Sequence, residues 1–377
     1  MNSDKKTNII FSVGGGKGGV GKSIFSIALG ISLARNGYSV ILIDLDLGAA
    51  NLHTYLNIFG KTPTISDFIF KKVSSLEDIL IKTSQRNLLF ISGADFVPGM
   101  ANPAHWTKLK IMRHIRTLPS DYIIIDLGAG VHFNVLDFFA ISHRGIVITV
   151  PEPGAVMNAY SFVKGVLFRR LQNVFRNHPD IGPIIDAETK RLEKEDVLTL
   201  DWFCEKVKSI SPDVLPLIEE IGNTFCPSLV VNRMSEGQTH ILVDNFISLC
   251  RRKIGIEIDF IGNIPESREI TYYLLNIPKF LNIPEGKPFY SSIERIAERL
   301  TRTTKTDLQK EKIFIYSDEE IEEFIRFIDS LDDKYFIGTN KNIWKLRMYF
   351  KPSQVSEFLM SRGISHESFY KFLSKDN

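Results

Sequence analysis

The chain has 377 residues, 44% of them hydrophobic, and a formal net charge of +2. A charge so close to zero creates no global field, so composition does not indicate a nucleic-acid or membrane protein. The three cysteines, Cys204, Cys226 and Cys250, lie far apart without a C-x-x-C pair, which argues against a disulfide framework and against a cysteine-ligated metal site.

The first six residues are mostly polar and leave no room for a signal peptide before the first predicted strand. No apolar run approaches the roughly 20 residues of a membrane-spanning helix. We therefore expect a cytoplasmic protein in a reducing compartment.

A glycine-rich loop follows the first predicted strand, residues 8–13, and precedes a helical pattern from Ser23 to Arg35. From Gly16 the loop reads G-x-x-x-x-G-K-S, the phosphate loop of nucleoside-triphosphatases. Its glycines allow successive N–H groups to point at phosphate oxygens, and the N-terminus of the following helix favours negative charge. The predicted phosphate-binding residues are Gly16, Lys17, Gly18, Gly19, Val20, Gly21, Lys22 and Ser23. Lys22 is predicted to neutralise the β- and γ-phosphates, and the Ser23 hydroxyl to ligate Mg²⁺.

Further apolar runs alternate with helical patterns along the chain. They lie at residues 40–43, 88–91, 122–125, 146–150, 229–231 and 260–261. Such alternation predicts an α/β fold with a doubly wound, mostly parallel sheet covered by helices on both faces. Nucleotide then binds at the carboxyl ends of the strands.

Acidic residues end two of these strands. Asp44 and Asp46 follow the run 40–43, and Asp126 follows the run 122–125 before a glycine turn. Asp126 fits the position that holds Mg²⁺ directly or through water, and one of the other two carboxylates is suited to orienting the attacking water or binding a magnesium-bound water. Helix capping by Asp44 and Asp46 and a turn acid at Asp126 are the structural alternatives.

Two polar or turn positions end the last two predicted strands. Asn232 follows the run 229–231, and its amide can both donate to and accept from an adenine edge. A plain turn asparagine is the alternative. The segment Gly-Asn-Ile-Pro, which ends at Pro265, follows the last of these runs.

These motifs together resemble the MinD/ParA family of ATPases. The phosphate loop, with Lys17 inside it, is similar to that family's deviant loop, and the D-x-D and D-x-G-A-G segments are similar to those of its FlhG-like members. The resemblance implies that Lys17 reaches the partner's nucleotide across a dimer, that Asp46 positions water and that Asp44 supports the magnesium shell. It also implies base contacts by Asn232 and Pro265. A solvated loop lysine is the alternative for Lys17.

The domain prediction divides the chain at residue 300. Residues 1–300 are predicted to form the ATPase domain, with a helical insertion at 168–226, and residues 301–377 a small helical region. This C-terminal region holds an acidic amphipathic pattern followed by basic and aromatic residues. We expect it to bind a protein partner, with membrane or DNA contact as weaker alternatives.

The resemblance implies an ATPase that uses Mg²⁺ and alternates between an ATP-bound homodimer and an ADP-bound monomer. The expected role is to place or count a cell structure, most closely flagella, with a location in the cytoplasm or peripherally at a membrane or cell pole. A ParA-like DNA-partition ATPase and a metabolic enzyme on the same fold remain the alternatives.

Overall fold

The computed structural model describes residues 8–46, 50–93, 105–175, 178–192, 199–235 and 239–302. The chain divides into one compact unit of residues 1–101 and 115–316 and another of residues 102–114 and 317–377. The sheet and the candidate site belong to the first unit. The C-terminal region predicted at 301–377 lies outside the described residues, apart from the end of the last helix.

The first unit is built on one eight-stranded sheet. Its strands are β1 Ile9–Gly14, β2 Val40–Leu45, β3 Ile81–Lys82, β4 Leu88–Ile91, β5 Tyr122–Leu127, β6 Arg144–Thr149, β7 Ser228–Met234 and β8 Asp259–Pro265. The strand order is β3-β4-β2-β5-β1-β6-β7-β8. All neighbouring pairs are parallel except β3 with β4. The predicted parallel sheet is therefore confirmed, and the short antiparallel β3 is an addition.

The connections between strands are mainly helical. The helices are α1 Lys22–Arg35, α2 Leu52–Tyr55, α3 Ile65–Ile69, α4 His105–Thr117, α5 Phe133–Ala140, α6 Pro153–Val174, α7 Ile181–Leu192, α8 Leu200–Lys208, α9 Leu215–Asn223, α10 Thr239–Ile254, α11 Ile277–Phe280 and α12 Lys287–Arg302. The segment predicted as a helical insertion contains the end of α6 and all of α7, α8 and α9.

The central strand β1 shows that both faces of the sheet are covered. Its side chains alternate between the faces. Phe11 belongs to the buried cluster that includes α1 and α12, whereas the Ser12 hydroxyl donates to the Phe138 carbonyl of α5, 2.9 Å away. Gly14 leaves room for the Phe162 ring of α6. The sheet is thus doubly wound, as predicted.

The strand order reverses direction at β1, whose neighbours β5 and β6 lie on opposite sides. Open α/β sheets bind ligands at such a switch point, outside the carboxyl ends of the strands. The glycine-rich loop leaves β1 at this point and leads directly into α1. The topology therefore locates the candidate site before any side chain is considered.

Candidate nucleotide-binding site

The glycine-rich loop has the backbone shape that its sequence predicts. Gly21 has a φ of 97° and forms the N-cap of α1. A Cβ at Gly21 would lie 2.3 Å from Asn232 Nδ2, and one at Gly16 only 2.0 Å from the Asn158 carbonyl oxygen. Larger residues at these two positions would therefore displace the loop from its neighbours on β7 and α6.

Lys22, the first residue of α1, is buried beneath the loop. Its Nζ donates to the Lys17 carbonyl at 3.3 Å. Burial lowers the pKa of the Lys22 ammonium, and the nearby Asp126 and Asp46 carboxylates oppose that shift. A buried ammonium beside a glycine-rich loop at a helix N-terminus is suited to a polyanionic phosphate.

Ser23 and Asp126 are joined by a hydrogen bond. Ser23 Oγ donates to Asp126 Oδ2 at 2.7 Å, and Ser26 Oγ donates to the other carboxylate oxygen at 2.8 Å. Burial raises the pKa of Asp126 to about 6, despite the opposing hydrogen bonds from Ser23 and Ser26 and the charge of Lys22. The structure thus brings together two of the three residues that the sequence assigned to magnesium.

Asp44 lies beside Asp126 on the neighbouring strand, because β2 and β5 pair these two residues in register. Its carboxyl oxygens accept from the backbone N–H groups of Asp46 and Leu52, each at 3.1 Å. Burial, followed by the charge of Asp126, raises the pKa of Asp44 to about 8.

This group of oxygen atoms fits Mg²⁺. Two buried carboxyls and a serine hydroxyl are hard oxygen ligands of the kind that Mg²⁺ takes together with substrate phosphates. Burial raises the pKa of both carboxyls because it disfavours their ionised form. A divalent cation held by Ser23 and Asp126, with Asp44 behind them, would favour that form.

Asp46 lies at the edge of the same site. A Cβ on Gly128 would be 2.9 Å from Asp46 Oδ1, so the carboxylate rests against the glycine turn that follows β5. Its charge acts on both Lys22 and Asp126. Asp46 is half-buried, and its predicted role in positioning water stays a prediction.

Lys17 forms an ion pair within its own chain. Its Nζ lies 2.9 Å from Glu152 Oε2, at the residue that precedes α6. The two side chains are 44% and 55% exposed, so the pair can open to solvent at small cost. The prediction that Lys17 acts across a dimer stays a prediction.

Asn232 lies against the loop. Its Nδ2 donates to the Val20 carbonyl at 2.8 Å, and its Oδ1 accepts from the backbone N–H of Arg233. Pro265 ends the edge strand β8 and pairs with Met234, which sets it three strands, or roughly 14 Å, from β1. The base contacts predicted for Asn232 and Pro265 remain predictions.

Sequence reasoning missed Ser26 and Arg233. Ser26 follows Ser23 by three residues on α1, so helical spacing alone placed both hydroxyls on one face. Arg233 stands next to Asn232, and its Nη2 donates to the Gly19 carbonyl at 3.0 Å. No spacing rule links residues 214 positions apart.

Among the residues that the structure describes, no helix is both long and apolar enough to cross a bilayer.

The profile of the CobQ/CobB/MinD/ParA nucleotide binding domain matches residues 11–276. The chain is 30% identical to the antiactivator FleN of Pseudomonas aeruginosa over 163 residues, which are 41% of this chain and 55% of FleN. It is 31% identical to the flagellum site-determining protein YlxH of Helicobacter pylori over 174 residues, 43% of this chain and 55% of YlxH. The matches thus span about half the length of these two relatives.

A solved structure shares the fold. The septum site-determining protein MinD from Pyrococcus horikoshii, complexed with Mg-ADP, superposes with a TM-score of 0.52 at 17% identity. The match covers 80% of this chain and 99% of that one. These comparisons confirm the predicted resemblance to the MinD/ParA proteins and their nucleotide-binding fold.

Proposed function

Because this chain belongs to the CobQ/CobB/MinD/ParA nucleotide-binding family, we propose that it is an ATP-hydrolysing switch. In this proposal it dimerises with ATP and separates with ADP. The observation that carries the proposal is the meeting of Lys22, Ser23 and Asp126 at the N-terminus of α1. Asp126 lies 103 positions from Ser23 in the chain, and together with Lys22 these residues are suited to a metal-bound phosphate chain.

Each residue of the site has a distinct part in hydrolysis. Lys22 and the loop N–H groups bind the phosphates, while Ser23 and Asp126 hold the metal. Held by Ser23 and Asp126, Mg²⁺ would supply positive charge against the negative charge that develops on the phosphate oxygens. Asp46 orients the attacking water from the edge of the site. Positioning and electrostatics of this kind account for most of the catalysis in phosphoryl transfer.

Lys17 supplies the link between hydrolysis and dimerisation. Lys17 is a second positive charge at a loop that already has Lys22 for the phosphates. Its ion pair with Glu152 is exposed to solvent. In the proposed dimer the Lys17 ammonium leaves Glu152 and reaches the partner's nucleotide. There it stabilises developing charge as an arginine finger does.

We propose that the switch positions or counts a cell structure, with flagella as the leading candidate. The name of one relative supports this: YlxH is a flagellum site-determining protein. A cytoplasmic or peripheral location and a protein partner bound by residues 301–377 belong to the same proposal.

The test of the dimeric switch is light scattering of Lys17→Ala with Mg-ATP or a slowly hydrolysed analogue. We expect this variant to bind ATP as a monomer and neither dimerise nor hydrolyse it. Lys72→Ala, which also removes an exposed lysine paired with a carboxylate, is the matched control. An ATP-dependent dimer of Lys17→Ala with wild-type affinity and turnover would contradict action across the dimer.

Mixing variants gives a second test. In a heterodimer of Lys17→Ala and Asp46→Ala, one site combines an intact Asp46 from its own chain with Lys17 from the other. That site should raise ATP turnover above that of either variant alone. Absence of recovery, in a mixture where light scattering shows the heterodimer, would contradict donation of Lys17 in trans.

A further inference from the structure

Two adjacent residues at the end of β7 bind two adjacent carbonyls of the phosphate loop. Asn232 Nδ2 donates to the Val20 carbonyl at 2.8 Å, and Arg233 Nη2 donates to the Gly19 carbonyl at 3.0 Å. A loop that turns its N–H groups toward phosphate oxygens leaves carbonyls that need other partners. Residues 232 and 233 provide those partners.

The backbone at Arg233 is strained. Its φ is 55°, in the left-handed region that residues other than glycine seldom adopt, and the pairing of β7 with β8 shifts register between Val231 and Met234. Side chains held in such conformations concentrate at functional sites. At Arg233 the left-handed backbone conformation occurs together with the hydrogen bond from its guanidinium to the Gly19 carbonyl.

The charge of Arg233 also acts on the rim of the loop. The hydrogen bond and charge of Lys17 lower the pKa of Glu152, and Arg233 adds to the effect. Arg233 is thus close enough for its field to reach a carboxylate beside the loop. The same field favours a bound anion.

We propose that Arg233 is a positioning residue of the phosphate loop, which holds the Gly19 carbonyl outward and thereby tightens the binding of ADP and ATP alike. This inference rests on the proposed binding of nucleotide at the loop and deepens it. Arg233 would act on the phosphate end of the nucleotide, independent of the base and of the dimer.

The experiment measures the Kd of Mg-ADP, Mg-ATP and Mg-GTP for the full chain by calorimetry. Arg233→Ala should raise the Kd of ADP and ATP by the same factor, about tenfold, and leave the ratio of the ATP and GTP values unchanged. Arg252→Ala is the matched control, because exposed Arg252 also donates to a backbone carbonyl, that of Ser248 on α10. It should bind all three nucleotides like the wild type.

Arg233→Gly separates binding from folding. Glycine accepts a positive φ without strain, so the melting temperature should be retained or raised while the tenfold loss of affinity persists. Arg233→Lys keeps the positive charge but lacks the planar guanidinium, so it should recover part of the affinity for ADP and ATP.

Three results would overturn the inference. A changed ratio of ATP to GTP affinity would make Arg233 a base-reading residue. Wild-type affinity for ADP with loss of the ATP dimer would assign it to the dimer interface, and wild-type values throughout would leave it no role in binding. If the wild-type chain bound neither ADP nor ATP, the proposed function itself would fail, and this inference with it.

Discussion

Asp44 and Asp126 occupy paired positions on β2 and β5, so two buried carboxyls stand side by side at one end of the sheet. Burial raises the pKa of Asp44 to about 8 and that of Asp126 to about 6. Ionising either carboxyl in this buried position is costly, although both accept hydrogen bonds. A cation bound between such oxygens and the phosphates of a nucleotide would offset that cost.

The pair predicts an unusual dependence of stability on pH. Asp44 loses its proton near pH 4 in the unfolded chain and near pH 8 in the folded one, so the folded state binds more protons between these values. The free energy of unfolding of the nucleotide-free protein should therefore fall as pH rises from about 4 to about 8 and then level off. Urea unfolding at pH 5 and pH 8 should show a decrease of a few kcal/mol.

Asp44→Asn supplies the control for that prediction. Asparagine does not ionise, so the fall in stability between pH 5 and pH 8 should become shallower. Mg-ADP should also reduce the fall in the wild type, because the metal favours the ionised carboxyls. An equally steep fall in Asp44→Asn would assign the pH dependence to other groups.

Lys22→Ala should abolish nucleotide binding. The variant loses the buried ammonium beneath the phosphate loop, and we expect the Kd for Mg-ATP to rise by at least about a hundredfold, or about 2.7 kcal/mol. Calorimetry measures this directly. Lys253→Ala, at an exposed position in the last turn of α10, is the comparison. Tight binding of Mg-ATP by Lys22→Ala would refute the assignment of the loop.

Asp46→Ala should separate binding from hydrolysis. The phosphate contacts of Lys22 and Ser23 stay in place, while the carboxylate that orients water is lost. We expect near wild-type ATP affinity, turnover at least about tenfold slower and accumulation of the ATP dimer. Steady-state phosphate release and light scattering check both parts. Wild-type turnover would exclude a role for Asp46 in the chemical step, and lost ATP binding would indicate a structural one.

Ser26→Ala tests the hydrogen bond that orients Asp126. The Ser26 hydroxyl donates to Asp126 Oδ1. Loss of a group that orients a metal ligand lowers the affinity for the metal by about tenfold or more, so Ser26→Ala should bind Mg²⁺ more weakly. The readout is the Mg²⁺ concentration that half-saturates ADP binding. Ser32→Ala is the matched control, because Ser32 is a buried serine of the same helix whose hydroxyl has no hydrogen-bond partner among the described residues. Equal Mg²⁺ requirements in the two variants would refute this role for Ser26.

Removal of the residues after Leu300 should leave nucleotide affinity unchanged, because the nucleotide-binding motifs precede that point. It should abolish localisation in cells or binding to a partner, since the acidic amphipathic and basic aromatic segments would be lost. Fluorescence microscopy of the tagged full-length and truncated chains compares the two. Unchanged localisation of the truncated protein would assign targeting to residues 1–300.

The sequence by itself determined the sheet and the centre of the site. Buried parallel strands are continuous apolar runs, and seven of the eight strands were legible as such. The remaining strand, Ile81–Lys82, is two residues long and depends on pairing with β4, so no local pattern reveals it. The phosphate loop was legible because its glycines, lysine and serine are contiguous.

The tertiary structure alone decided how the distant residues meet. Lys17 and Glu152 are 135 positions apart, and Gly19 and Arg233 are 214 apart, so no periodicity connects them. The raised pKa values of Asp44 and Asp126 likewise arise from burial and strand register, which a sequence does not display. Motif chemistry is local and can be predicted from residues; orientation, burial and electrostatic coupling are properties of the packed sheet.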